Sequence, residues 1–271
     1  MQRVEIRSPQ GRLCIERSNA DSPWRISSPF ESDADQRLSE QLMRYLLDLG
    51  GLKELEAKPT REQLKAAGLS PPFAVIGLRD FNGGKREVSI GDASRNPELV
   101  FIRQQGGIWL ASLSYRAHAA TPFSYFRDRR VLRRDPGEVV ALSISGNDGR
   151  MSLRREGDGW WLTAPERAKA RDQRVEALLN ALTGPVVIRY LGDEDRRNAQ
   201  GIQEPSLQID IDFQDGAKGG VIVGSRASGT EFYARLVPDR SQVTFAAAAL
   251  PNLRLTASEV KEAELPTHPS E

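Results

Sequence analysis

The sequence predicts an α+β protein of two tandem repeats, each an antiparallel sheet with two helices packed on it. The first observation is that residues 23–29 recur in altered form as residues 159–165, with a tryptophan five positions before a proline in both segments. The second is that glycines, prolines and an arginine follow in the same order in both halves, at a period of roughly 134 residues. Such a period is much longer than a solenoid repeat, so it indicates duplicated domains.

Composition and charge exclude several classes of protein. The chain of 271 residues is 39% hydrophobic and 28% charged, which is ordinary for a globular protein and long enough for two domains. The 38 Lys and Arg nearly cancel the 37 Asp and Glu, so no overall field attracts nucleic acid or an anionic membrane. The single cysteine, Cys14, excludes an internal disulfide and is expected among the charges on the outer face of a strand.

Three strands open each repeat. Alternation of apolar and polar residues predicts the first two as a hairpin, with turn residues at 8–11 and at 146–149. The third strand carries an inward-facing tryptophan, Trp24 or Trp160, and an aliphatic residue two positions later on the same face. The predicted strands are 4–7, 12–17 and 24–26 in the first repeat, and 139–144, 150–155 and 160–162 in the second.

An amphipathic helix follows these strands in each repeat. Apolar side chains recur at helical spacing over residues 38–49 and again over residues 175–182. We expect Asp33 and Gln36 to form the capping pair of the first helix, and a glycine follows each helix as its stop signal.

A strand and a short second helix come next. The strand is predicted at 52–57 in the first repeat and at 186–191 in the second. The short helix ends on a glycine in both repeats, with Thr60 as the cap of the first and Asp193 as the cap of residues 194–200. A hairpin and a last strand complete each repeat, at 73–80, 87–90 and 100–103 in the first and at 207–213, 220–223 and 232–235 in the second.

The repeats join near residues 133–137, where a Pro-Gly pair interrupts the pattern. The predicted domains are therefore residues 1–135 and residues 136–265. Residues 266–271 form part of a proline-containing tail without periodicity, which we expect to be disordered.

These motifs resemble those of the domain-of-unknown-function family 4340. That family has a strand pair, a Trp-x-(Leu/Ile)-x-x-Pro element, a leucine-rich helix, a short helix ending in Gly-Leu-x-x-Pro, and a strand ending in Ile-Gly. Here the tryptophan element lies at residues 24–29 and 160–165, and Gly-Leu-x-x-Pro lies at residues 68–72. The resemblance covers nearly the whole chain, in both repeats.

The resemblance implies an extracytoplasmic body held by an N-terminal membrane helix, in proteins often encoded near gliding-motility-type ABC transporter components. The sequence begins directly on the strand-like run 3–7, and we expect a signal or anchor to have been removed from it. We therefore expect a periplasmic or otherwise extracytoplasmic protein that is attached to the membrane only through such an anchor. The family has no established catalytic residues, so the resemblance implies none.

Histidine chemistry has two candidates, His118 and His268. A Ser-His-Asp site would require His118 to meet a serine nucleophile, and Ser143 and Ser145 lack the glycine-flanked elbow of such nucleophiles. His268 lies in the predicted tail. We expect His118 to lie in a surface loop, and we predict no catalytic site.

Metal and cofactor sites are not predicted either. One cysteine and two distant histidines cannot form a zinc site of the usual spacing. Asp210 and Asp212 alternate with apolar residues, so we expect them on the solvated face of a strand rather than as an acid–base pair. The glycine-rich segment 219–226 lacks the Lys-Ser/Thr ending of a phosphate loop and is predicted to be a strand.

Three arginines are candidates for binding a partner. Arg127, Arg129 and Arg130 belong to the concentrated basic cluster 127–134, which follows three aromatic residues. Nucleic-acid binding would use such a mixture. The cluster lies at the join between repeats, however, where arginines can pair with acidic neighbours.

A fourth candidate is Trp161. Alternation places it on the face opposite Trp160, at the position where the first repeat has Arg25. A large aromatic side chain on an outer face is either covered within the protein or offered to a partner.

We expect a non-catalytic interaction or scaffold module of a transport-related, ABC-type envelope assembly, with a protein partner and without nucleic acid, metal or cofactor. Two alternatives remain. A carbohydrate or envelope-polymer binding protein would use a deep, aromatic-lined groove between the repeats. A hydrolase would require a cluster of polar residues around His118.

Overall fold

The structure, a computed structural model, describes residues 1–48, 50–147, 149–192 and 202–262. The chain divides into two compact units, Met1–Asp128 and a second that begins at Arg129. Each unit contains a nine-stranded antiparallel sheet and few helices, so the α+β class is confirmed. The division lies a few residues before the predicted join, because the N–H groups of Val131 and Leu132 donate to the carbonyl of Leu182 in the second unit, at 3.2 and 2.9 Å.

The first unit is described by nine strands and three α-helices. Its strands are β1 Arg3–Ser8, β2 Gly11–Glu16, β3 Arg25–Ser28, β4 Ser32–Asp33, β5 Lys53–Glu56, β6 Ala74–Arg79, β7 Lys85–Ala93, β8 Leu99–Gln104 and β9 Gly107–Ser112. Its helices are α1 Gln36–Leu47, α2 Arg61–Ala66 and α3 Ser114–Ala120, with a 3-10 turn at Phe123–Phe126.

The second unit repeats this series. Its strands are β10 Val139–Gly146, β11 Gly149–Glu156, β12 Gly159–Ala164, β13 Ala168–Lys169, β14 Val187–Tyr190, β15 Leu207–Phe213, β16 Lys218–Arg226, β17 Glu231–Val237 and β18 Gln242–Ala246. Its described helices are α4 Asp172–Thr183, α5 Leu250–Leu253 and α6 Ala257–Val260. The predicted helix 194–200 with its cap Asp193, the tail 266–271 and His268 lie outside the described residues.

The two sheets have the same strand order. The first runs β4-β3-β2-β1-β6-β7-β8-β9-β5, and the second runs β13-β12-β11-β10-β15-β16-β17-β18-β14. The registers also correspond, because Ile6 pairs with Ile76 in the first sheet and Ile144 pairs with Ile209 in the second. Any residue of one sheet can therefore be compared with the residue at the same register position of the other.

One face of each sheet forms the core of its unit. Trp24 and Trp160 are 1% and 3% exposed, so both are the core residues that the alternation predicts. In the first unit, α1 packs on this core face through Leu42 and Leu46, and α3 packs on it through Tyr115. No helix among the described residues is long and apolar enough to span a membrane.

The start of α1 differs from the prediction. Asp35, and not Asp33, is the N-cap, and its side chain accepts a hydrogen bond from the N–H of Leu38 at 2.9 Å. Asp33 lies in β4, where it pairs with Arg25. Gln36 does not complete a capping box, because its side chain binds the main chain of Trp24.

The outer face of the first sheet is covered at one end by α2. Leu64 of this helix and the following Leu69 pack against Phe101 and Ile108 of β8 and β9. Phe101 alternates with core residues, so α2 lies on the opposite side of the sheet from α1.

Cys14 is on that outer face, as predicted, but it is buried rather than exposed with the charges. It is 1% exposed, and its Sγ lies 3.8 Å from a carboxylate oxygen of Glu16. Burial disfavours the thiolate and raises the pKa of Cys14. Cys14 has a register partner on each side, Glu5 of β1 and Ser28 of β3, and the alternation alone does not predict its burial.

Candidate functional site

Three cations face one another on adjacent strands of the first sheet. Arg3 of β1 is directly opposite Arg79 of β6, and Arg79 is directly opposite Lys85 of β7. Side chains at such positions lie about 5 Å apart at Cβ, and like charges there destabilise a sheet. An anionic group placed on this row would offset the repulsion between the three cations.

Acidic side chains neutralise the positive charge at only one end of this row. Arg3 forms ion pairs with Glu5 at 3.3 Å and with Glu16 at 3.2 Å. Arg79 and Lys85 form no ion pair among the described residues. Two neighbouring cations therefore have no acidic partner among the residues that the structure describes.

Glu5 is the centre of the compensated part. It contacts Arg12 at 2.8 Å, Arg3 at 3.3 Å and Arg7 at 3.7 Å. The hydrogen bond from Arg12 lowers the pKa of Glu5 and outweighs its partial burial, which acts in the opposite direction. Arg7 also reaches Glu87 of β7 at 2.9 Å. This network orients the arginines around the uncompensated pair.

Two clefts border the row. One of about 580 Å³ is lined by Arg3, Arg25 and Arg79, by the acidic residues Glu16 and Glu31, and by residues of the loop that precedes β3. The other, of about 420 Å³, is lined by Arg3, Arg79, Lys85 and Gly77. Gly77 lies between its register partners Glu5 and Glu87. Because glycine has no side chain, the bottom of the second cleft is not filled at this position.

We call this surface the arginine face and define it by Arg3, Arg7, Arg25, Arg79 and Lys85. Guanidinium groups bind carboxylates through two parallel hydrogen bonds, and their planar geometry makes that contact specific. The chemistry that this face supports is therefore recognition of an acidic group. It contains no histidine and no serine that is paired with a base.

The second sheet lacks this surface. The register position of Arg3 is occupied by Ala141, that of Arg79 by Asp212 and that of Lys85 by Lys218. Asp212 and Lys218 form an ion pair with each other at 2.9 Å. Asp212 lies on the outer face of β15, as predicted, and the charge at this place is neutralised within the sheet.

Trp161 lies on the outer face of the second sheet, opposite Arg154 of β11 and Lys169 of β13. It is half-buried, and the guanidinium carbon of Arg167 is 5.0 Å from its ring centroid. Arg167 is itself held by Glu156, with contacts of 2.7 and 3.2 Å. An arginine of the same unit thus covers part of the ring, and the role of Trp161 in binding a partner stays a prediction.

Arg127 is not at the surface where a partner could use it. It is 9% exposed, its Nε donates to the hydroxyl of Ser32 at 3.2 Å, and its guanidinium lies 4.7 Å from the ring centroid of Phe30. Its main chain pairs with Ala34 next to the start of α1. Arg127 is therefore a packing residue of the first unit.

Arg129 and Arg130 are half-buried and belong to the second unit. The carbonyl of Arg129 accepts from the N–H of Val187 at 3.0 Å, and the carbonyl of Arg130 accepts from Nε of Arg133 at 3.3 Å. The structure thus assigns Arg127 to one unit and these two arginines to the other. Their binding of a partner stays a prediction.

His118 lies in α3, so the prediction of a surface loop is wrong. Its ring stacks on the ring of Tyr45, with centroids 4.3 Å apart, and its Nδ1 is 2.7 Å from the carbonyl oxygen of Ser114. The hydroxyl of Ser114 bonds instead to the hydroxyls of Tyr45 and Ser112. Polar groups do cluster here, but within the described ranges neither a serine hydroxyl nor a carboxylate hydrogen-bonds to the imidazole. The described residues also contain no group of three or more metal-ligating side chains.

The arginine face was missed in the sequence although its signal is present. Arg3, Glu5 and Arg7 occupy successive outward positions of one strand, a pattern that also describes an ordinary solvated face. What makes the face unusual is the alignment of Arg79 and Lys85 beside Arg3, which depends on strand register.

Comparison with known proteins finds one family. The model of the family described as "Domain of unknown function (DUF4340)" matches residues 24–205. The match begins at Trp24, before β3, and ends just before β15, so it includes both tryptophan elements. No curated protein and no solved structure matches the chain. Since the match covers more than half of the sequence, the chain belongs to the DUF4340 family.

Proposed function

We propose that the protein is a non-catalytic interaction module of a transport-related envelope assembly, and that a protein partner binds its arginine face. The observation that carries this proposal is the row Arg3–Arg79–Lys85, in which two cations have no acidic partner among the described residues. Repulsion within the row opposes folding, and an acidic group of a partner would relieve it.

A protein suits this face better than a nucleic acid or a lipid surface. Glu5, Glu16 and Glu87 lie between the cations, and they would repel a continuous row of phosphates. A protein partner can offer basic groups to these acids and carboxylates to the cations. Arginine is also enriched, and lysine depleted, in protein–protein interfaces.

The identical strand order of the two sheets supports an origin by tandem duplication. The outer faces then differ in chemistry, because the second sheet has the neutral pair Asp212–Lys218 where the first has Arg79 and Lys85. Under this proposal both copies have the same fold, and only the first copy carries the charge that binds the partner. The family resemblance supports an extracytoplasmic, membrane-anchored setting beside an ABC transporter.

The test compares two double variants of the full chain. Arg79→Ala with Lys85→Ala removes the uncompensated cations, and Asp212→Ala with Lys218→Ala removes the pair at the same register positions of the second sheet. Both are immobilised, and the proteins that each retains from envelope extract are quantified by mass spectrometry. Circular dichroism and melting temperature establish that both variants are folded.

We expect the first variant to lose a defined set of proteins that the wild type and the second variant retain. Their retention by the wild type should weaken as salt is raised, because exposed charges are screened. Equal retention by all three proteins, or loss from both variants, would refute a role for the arginine face.

The two alternative functions, a hydrolase and a carbohydrate or polymer binding protein, remain predictions, because no contact between described residues supports either of them. A hydrolase would need the hydroxyl of Ser114 or Ser112 to bond to the imidazole of His118, and both hydroxyls bond elsewhere. A carbohydrate or polymer binding function was predicted for a groove between the repeats, and no feature described within either unit favours it.

A further inference from the structure

The second unit contains a cavity of about 300 Å³ at the hairpin end of β10 and β11. Ile144, Met151 and Leu207 contribute to its mainly apolar lining, and Arg150 and Arg254 line it as well. No acidic residue is among its lining residues. The cavity therefore combines an apolar wall with two arginines that form no ion pair with any described residue.

The first unit fills the same place with an aromatic ring. Gly11 and Gly149 occupy the same position in the two hairpins, and both have φ of 111°. A Cβ at Gly11 would lie 3.6 Å from Cε2 of Phe123, a buried core residue. A Cβ at Gly149 would meet no described atom within 4 Å.

A second aromatic residue is also replaced. Phe73 precedes β6, and its N–H donates to the carbonyl of Ile90 at 2.8 Å. Ser206 holds the same position before β15, and its N–H donates to the carbonyl of Val223 at 2.9 Å. No aromatic residue is among the described lining residues of the cavity, so the two rings of the first unit have no counterpart there, although the sheets share their topology.

Arg254 is the polar feature of this cavity that the fold leaves unsatisfied. Its Nε is buried and has no hydrogen-bond acceptor, and its guanidinium forms no ion pair with any described residue. A buried donor without an acceptor is destabilising and uncommon in folded proteins. Arg254 itself lines the cavity, so the carboxylate of a ligand bound there would give its guanidinium an acidic partner that no described residue supplies.

We propose that this cavity binds a carboxylate joined to an apolar chain, with Arg254 holding the carboxylate and the apolar wall holding the chain. A volume of about 300 Å³ corresponds to roughly ten waters at about 30 Å³ each, so it holds a chain of about ten non-hydrogen atoms. Guanidinium binds a planar carboxylate in a bidentate manner, which gives the site its selectivity for charge. The site is separate from the arginine face and does not depend on the function proposed for it.

The test uses octanoate as the probe and octan-1-ol as an uncharged ligand of the same length. Binding of each to the full chain is measured by isothermal titration calorimetry. Arg254→Met removes the charge and keeps the apolar stem, and Ser206→Phe fills the cavity with the ring of the first unit. Arg235→Met, on β17 and outside the cavity lining, is the matched control.

We expect octanoate to bind the wild type and the control equally, and octanol to bind at least about tenfold more weakly. Arg254→Met should reduce octanoate affinity by about tenfold or more while the melting temperature stays close to that of the control, and Ser206→Phe should abolish binding. Equal affinity for octanoate and octanol, unchanged affinity in Arg254→Met, or no binding at millimolar octanoate would overturn the proposal. The first and last of these outcomes need no variant, so misfolding of a variant cannot hide them.

The carboxylate could belong to a fatty acid or to the C-terminus of a peptide with an apolar last residue. A short peptide ending in leucine, with a free or an amidated C-terminus, separates the two sources. Tighter binding of the free-acid peptide than of octanoate identifies a peptide end, and tighter binding of octanoate identifies a fatty acid.

Discussion

The main-chain N–H of Trp160 donates a 2.8 Å hydrogen bond to the side chain of Asp172, the first residue of α4. The same joint exists in the first unit, where the N–H of Trp24 donates to the side chain of Gln36 at 2.8 Å, at the first residue of α1. In both units this bond connects the main chain of the buried tryptophan, within β12 or directly before β3, to the helix that covers it. The same hydrogen bond between tryptophan and helix is thus accepted by an aspartate in one unit and by a glutamine in the other.

Asp172→Ala should lower the free energy of unfolding by about 1–3 kcal/mol, because it leaves the N–H of Trp160 without its acceptor. The control is Gln173→Ala, at the exposed next position of the same helix. Urea unfolding of both variants measures the difference. Equal midpoints for the two variants would show that the joint contributes nothing to stability.

Arg79→Thr should stabilise the protein by about 0.2–1 kcal/mol, because it removes a cation that lies between Arg3 and Lys85 and introduces a residue that favours strands. The gain should be largest at low salt, where exposed charges are least screened. Lys218→Thr is the control and should not stabilise, because Lys218 is paired with Asp212. A loss of stability in Arg79→Thr at low salt would mean that Arg79 supports the fold.

Glu5→Gln should make the free energy of unfolding less dependent on pH in the acidic range. The pKa of Glu5 is lowered in the folded protein, so its stabilising effect is present above the ordinary carboxylate pKa and is lost as pH falls through the lowered value. We therefore expect the wild type to lose more stability than Glu5→Gln between about pH 6 and pH 3. Urea midpoints across that range measure this, with Glu98→Gln on an exposed carboxylate as the control. Parallel curves for wild type and Glu5→Gln would argue against the network around Glu5.

Trp161→Ala should leave the melting temperature nearly unchanged, because the ring lies on the outer face of its sheet, with the guanidinium of Arg167 5.0 Å from its centroid. If the residue contacts a partner, retention of envelope proteins should weaken by about 2 kcal/mol, as for an aromatic anchor of an interface. Melting temperature and retention are measured on the same preparation. A large drop in melting temperature with unaltered retention would make Trp161 a structural residue.

Much of the fold follows from local pattern. The alternation around Trp24 and Trp160 predicts their burial, and Thr60 forms the predicted cap with a complete capping box to Gln63. The side of the sheet on which α2 packs could not be predicted, since a short helix shows which of its faces is apolar but not which surface it meets. The α+β class and the strands thus come from periodicity, whereas the layering requires tertiary contacts.

The candidate site could not be predicted from the sequence, because it depends on contacts between residues that are distant in the chain. Arg127 looked like part of a basic surface, and its burial depends on Ser32 and Phe30, far away in the chain. The arginine face depends on the register that brings Arg79 beside Arg3. A charge pattern within one strand does not contain that information, because an ordinary solvated strand has the same alternation.

Site-specific photocrosslinking in the native cell tests directly whether a protein binds to the arginine face. A benzoylphenylalanine is placed at Gly77, on the floor of the cleft beside Arg79, and in a second strain at Asp210, the same register position of the second sheet. We expect discrete protein adducts from position 77 that disappear when Arg79 and Lys85 are changed to alanine, and none of these adducts from position 210. No adduct from position 77, or the same adducts from both positions, would contradict this expectation.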